Sequence, residues 1–93
     1  MSKLVMLDKL IQGIQNKGYI YQVIDDTTIE VGFTNFVTQF HITHSNKIMI
    51  TLFDNEGVVI DMKVYQKVGF AIRMMMMYRE EQKKKEIEEI LNK

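Results

Sequence analysis

The side chains able to do chemistry in this chain are few and poorly arranged for it. His41 and His44 are the only histidines, and three positions apart on one strand they point to opposite sheet faces, so they cannot share a metal ion. His41 has the parity of Gln39 and Thr43, which sets it on an exposed outer face. There is no cysteine, which removes thiolate nucleophiles, thiolate metal sites and disulfides together. The serines are Ser2 at the terminus and Ser45 in a predicted turn, leaving no material for a nucleophile, base and acid triad. Asp25-Asp26 and Asp54-Asn55-Glu56 are read as turns, because Asp and Asn satisfy turn amides and the spacing of a calcium loop is not met. Glycines 13, 18, 32, 57 and 69 are too scattered to form a phosphate cradle. No catalytic, cofactor-binding or metal-binding residue is assigned, and an enzyme is not expected.

The next pattern is basic. Lys83, Lys84 and Lys85, with Arg73 and Arg79 upstream, form a ridge that could contact phosphates. The chain as a whole carries 12 basic and 12 acidic residues, a balance that does not grip a polyanion over its surface. Nucleic acid is therefore an alternative partner rather than the leading one. Glu80 with Lys84 and Glu81 with Lys85 are favourable i, i+4 pairs, so this stretch can be helical while fully solvated.

The sharpest signal is apolar. Val64, Val68, Ala71, Ile72 and Met75 form one stripe of a helix, assigned to packing on a sheet. Phe70, Met74, Met77 and Tyr78 cluster on nearly the opposite side, so residues 68–78 are apolar almost all round. One helix lying on one sheet buries only one side, and burying the other four side chains elsewhere would contribute on the order of 6 kcal/mol before the cost of association. Ile87, Ile90 and Leu91 then add an apolar tip, displaced around the helix. Phe70, Met74, Met77, Tyr78, Ile87, Ile90 and Leu91 are the expected protein interface, serving a homodimer or higher oligomer.

These residues need elements to hold them. Ninety-three residues make one domain with a thin stability margin, since so short a chain hides only roughly 60 to 70% of the surface its unfolded form exposes. Leu4, Leu7, Leu10, Ile11 and Ile14 recur at helical spacing, Ser2 can cap the start and Gly18 can take a left-handed exit, which predicts a helix over 3–17. The period then switches to two, predicting strands over 19–24, 28–33, 36–44, 47–53 and 58–64. Ile29, Val31 and Phe33 share a face, as do Phe36, Phe40 and Ile42, and Ile48, Ile50 and Leu52. His44-Ser45-Asn46-Lys47 reads as a two-residue hairpin, Gly57 suits a left-handed bulge, and Val58, Ile60, Met62 and Val64 are expected to turn toward the core. A helix over 65–91 ends the chain. The prediction is an α+β fold, helix, five-stranded antiparallel meander and long helix, with both helices on the apolar face of the sheet.

One helix followed by five strands, with Gly32 in Ile29-Glu30-Val31-Gly32-Phe33 placed where a strand can bend, resembles the Sm-like RNA-binding ring proteins over residues 4–64. The resemblance implies an RNA-binding ring. The family's closing motif has no counterpart here, and the long terminal helix is foreign to it. Ile occurs 12 times against 5 Leu and a single Ala, and Lys outnumbers Arg 10 to 2, the skew of AT-rich coding shared by certain bacteria and their phages. Ser2 to Lys9 lacks the apolar core of a signal peptide, and the longest apolar run, Met74 to Tyr78, is far short of the roughly 20 residues that span a bilayer. The expectation is a cytoplasmic, non-catalytic protein-interaction module, a phage or mobile-element regulator or inhibitor that binds a host protein without cofactors.

Overall fold

Ser2 sits in extended backbone and its Oγ accepts the Val5 amide at 3.2 Å, so the first helix begins where a hydroxyl can satisfy an otherwise orphaned donor. In this computed structural model, which describes residues 2–92, α1 (Lys3–Asn16) is followed by β1 (Tyr21–Asp25), β2 (Thr28–Gly32), β3 (Phe36–Ile42), β4 (Ile48–Asp54), β5 (Val59–Tyr65) and α2 (Val68–Leu91). The strands pair antiparallel in the order β1-β2-β3-β4-β5. This is the α+β meander expected from the periodicities. The sheet is open, with β1 and β5 at its two edges.

α1 ends through Gly18 at φ 76°, whose amide reaches the Gln15 carbonyl at 2.9 Å while the Tyr19 amide reaches that of Ile14 at 3.3 Å. That pair of bonds satisfies two of the last carbonyls and turns the chain. It also consumes Tyr19 and Ile20, so β1 starts at Tyr21 rather than at 19. Met6, Leu7, Leu10 and Ile14 are buried, whereas Leu4 is 67% exposed: the buried stripe keeps Leu7, Leu10 and Ile14 but takes in Met6 at its start instead of Leu4.

Each hairpin is set by local bonds. Asp25 Oδ1 accepts the Thr27 amide at 2.8 Å and its hydroxyl at 3.0 Å, and these bonds hold the Asp25 carboxyl below its ordinary value. Between β2 and β3 the Phe33 amide bonds the Phe36 carbonyl at 2.9 Å, so Phe33 lies in the turn and not on the strand. In the β3–β4 connection, residues 43–47, Thr43 and Lys47 close a loop of three residues, His44-Ser45-Asn46, instead of the expected two. Asn46 bonds back to the Thr43 carbonyl at 3.0 Å, Thr43 donates to the Lys47 carbonyl at 2.8 Å, and Asn46 takes φ 58°, a value that Asn tolerates. The β4–β5 connection repeats the device with Gly57 at φ 82°, and Asp54 Oδ1 accepts the Glu56 and Val58 amides, each at 2.9 Å.

The largest departure from expectation lies in β5. Phe53 pairs with Val59, but Leu52 pairs with Asp61, so Ile60 is an extra, bulged residue. Beyond it Ile50 pairs with Lys63 and Ile48 with Tyr65. Without the bulge, Ile60, Met62 and Val64 would lie beside Leu52, Ile50 and Ile48 on the core face. A one-residue slip sends every following side chain to the other side, so Asp61, Lys63 and Tyr65 face the helices while Met62 and Val64 face outward.

The core is a single layer between helices and sheet. Leu10, Ile14, Ile29, Val31, Phe40, Ile42, Ile48, Ile50, Leu52, Ala71 and Met75 are wholly or nearly wholly buried. The helices meet at Gly13, where a Cβ would come within 2.4 Å of Ile72 Cδ1. Thr38, fully buried in mid-sheet, carries a hydroxyl without a hydrogen-bond partner among the described residues.

Two stability measurements check this packing. Gly13→Ala lowers stability by roughly 1 kcal/mol, overpacking outweighing the gain in helix propensity, whereas in an Ile72→Val background, which lacks Cδ1, the same change raises it by up to about 1 kcal/mol; equal effects in both backgrounds would contradict the contact. Thr38→Val, which removes an unpaired buried hydroxyl at nearly constant shape, raises stability by about 1 kcal/mol in urea unfolding.

Candidate interaction surface

α2 is anchored along one stripe only. Ala71, Ile72 and Met75 are buried, and further along an aromatic ladder takes over. Tyr78 meets Phe36 edge-on with centroids 4.8 Å apart, Phe36 stacks on Phe33 at 4.6 Å, and Phe33 meets Tyr19 edge-on at 5.3 Å. The Arg79 guanidinium lies 5.4 Å from the Tyr19 ring centroid and 5.6 Å from that of Phe33, a cation held against aromatic faces. About two turns later, Asn35 Nδ2 donates to Glu86 Oε1, the last hydrogen bond from the body to the helix among the described residues. Ile87, Ile90 and Leu91 stand beyond it, exposed.

The other side of α2 is free. Phe70 and Met77 are exposed, Met77 by 60%, while Met74 and Tyr78 are partly buried against the core. Between this side and β5 runs a groove of about 280 Å³ lined by Tyr65, Phe70, Met74, Met77 and Tyr78, with Asp61, Lys63, Arg73 and Glu81 at its polar margin. Burial pushes the Tyr78 phenol above its ordinary range, and the charges of Glu81, Asp54 and Asp61 push the same way.

The bulge in β5 creates a second apolar surface that the sequence reading placed in the core. Val59, Met62 and Val64 are more than half exposed and share the outer sheet face with Met49 and Phe53, their register partners on β4 or next to them. The pattern of alternation alone could not reveal this, since it is identical for either register; the only cue lay in the opposing charges Asp61 and Lys63, which suit an edge. The edge itself is blunted. Asp61 Oδ1 accepts the Met62 amide at 2.8 Å, and a bulge, a carboxylate and a lysine on one edge strand all discourage pairing with another strand.

The structure gathers the sequence-predicted interface residues into two neighbouring places: Phe70, Met74, Met77 and Tyr78 along the groove, and Ile87, Ile90 and Leu91 at the tip. The basic residues are divided. Arg79 is engaged with Tyr19 and Phe33, Arg73 lines the groove, and Lys83, Lys84 and Lys85 are exposed among Glu80, Glu81, Glu86, Glu88 and Glu89. The histidines have separate partners: His41 Nδ1 lies 3.0 Å from Thr28 Oγ1, and His44 Nδ1 lies 3.4 Å from Lys3 Nζ. Among the described residues no group of three or more His, Cys, Asp or Glu side chains is placed to hold a metal ion, and no helix is long and apolar enough to cross a membrane.

In class the molecule is a helix, antiparallel meander and helix domain with an unpaired apolar groove. No family model, curated protein or solved structure matches the chain.

The groove has a spectroscopic signature. In a phenolate absorbance titration one tyrosine ionises above the ordinary value of 10.0, and Tyr78→Phe removes that component. Because the folded-state pKa of Tyr78 is raised, the associated stability is complete below the unfolded pKa and is lost as pH rises through the folded one; a Tyr78→Phe titration that keeps the high-pH component would contradict the assignment.

Proposed function

We propose that this protein is a small non-catalytic protein-interaction module that works as a homodimer or higher oligomer. The observation that carries the reading is the second face of α2: Phe70 and Met77 remain exposed although Ala71, Ile72 and Met75 already bury the helix's other side. An apolar face of that kind on so small a domain is best explained by a protein that covers it. The AT-rich residue usage and the small size fit a phage or mobile-element regulator or inhibitor acting in the cytoplasm on a host protein. Nucleic-acid binding has less support, since Arg79 is committed to aromatic rings and Lys83 to Lys85 are surrounded by glutamates, so the helix offers no net positive stripe. A Sm-like RNA-binding ring has less still, resting on strand order alone.

The test is absolute mass by light scattering on a sizing column over a concentration series. The chain is expected near twice its mass of 11.0 kDa. Met74→Glu with Met77→Glu should yield a folded monomer, and Met75→Glu, at a fully buried site, should unfold the chain. A wild-type monomer, or a double variant of unchanged mass, counts against the reading.

A further inference from the structure

We infer that the partner covering α2 is a second copy of this chain, laid antiparallel along the helix, with the tip of each α2 on the start of the other. The inference rests on the self-association just proposed and specifies its geometry. From Phe70 a seam repeats every four and three residues through Met74, Met77, Glu81, Lys84 and Glu88 to Leu91, the spacing at which two helices interlock along their length. On the helical wheel this seam centres on Phe70 and Glu88, about 140° from Met75 and about 160° from Ile72 at 3.6 residues per turn, so a second helix resting on it also covers the groove beside β5. The seam is apolar at both ends and charged in the middle.

That distribution selects the direction. In a parallel pair each Glu81 would meet Glu81 and each Lys84 would meet Lys84, like charges directly opposed. An antiparallel pair with its two-fold axis between Glu81 and Lys84 places each Glu81 against Lys84 of the other copy, twice by symmetry. The same axis sets Met74 against Leu91, brings Tyr78 beside Ile87, and lays Met77 along the methylenes of Glu88, whose carboxylate reaches solvent at the rim. It accounts for the overhang as well. The tip after Glu86 is exposed in the single chain, and in the antiparallel pair it lies over Met74 to Tyr78 of the other helix. Leu91, 76% exposed in the single chain, then rests on Met74 of the other copy, one turn from its Phe70, and the outer sheet face with Met49, Phe53 and Met62 stays open for a different protein.

Disulfide trapping tests the geometry in a chain with no cysteine of its own. Met74→Cys with Leu91→Cys places the two thiols about 25 Å apart on one helix, so any bond between them must join two copies. Under mild oxidation the double variant is expected to become a covalent dimer, and each single variant to stay largely monomeric in denaturing gels. Ready cross-linking of Met74→Cys alone would mean a parallel pair, and no cross-linking despite a dimeric mass would mean that another face pairs; either overturns the inference and leaves self-association standing. A monomeric wild-type mass removes both. Independently of cysteine chemistry, Glu81→Lys should weaken dimerisation about tenfold or more, and adding Lys84→Glu should restore it; no change in either variant argues against the axis proposed.

Discussion

The pairing of Leu52 with Asp61, one residue later than strict alternation demands, governs how this chain presents itself. If β5 followed β4 without interruption, its apolar residues would extend the core and its charges would meet solvent, the usual economy of an antiparallel sheet. The bulge at Ile60 reverses that assignment for the rest of the strand. Asp61, Lys63 and Tyr65 become one wall of a groove under α2, and Met62 and Val64 join Met49 and Phe53 outside. Two apolar surfaces follow from one extra residue, on either side of an edge whose amide is occupied by Asp61.

α2 carries the other half of the design. It is held by a short buried stripe and by the ladder from Tyr19 through Phe33 and Phe36 to Tyr78, with Arg79 lying against two of those rings. Such anchoring positions the helix firmly without consuming its opposite face, because the contacts come from the sheet below and the β2–β3 turn. Gly13 lets α1 approach closely enough for Ile72 to be buried, which keeps the two helices in one layer. A domain of this size has little apolar area to leave unused. The exposed residues on α2 and β5 are the area on which the proposed association rests.

Much of this was legible in the residues. The cap at Ser2, the left-handed exit at Gly18 and the left-handed Gly57 are local chemistry, decided by atoms within a few positions of one another, and each was found where the pattern placed it. The two-faced character of residues 68–78 was equally visible, as was the separate apolar tip. Misplaced features had longer reach. Asn46 occupies a left-handed position that a short polar run does not announce, Phe33 left its strand to join an aromatic ladder, and Leu4 yielded its place to Met6 once the helix docked.

The sequence by itself determined the element order, the antiparallel meander, and the presence of more apolar helix surface than one sheet can cover, because periodicity, capping and turn chemistry act over a few residues. Only the tertiary structure decided which side of β5 meets the helices, which arginine is committed to aromatic rings, and where the spare apolar surface lies. Those outcomes depend on register between strands and on docking of α2 across the sheet, and a period-two pattern is the same whichever face it turns inward.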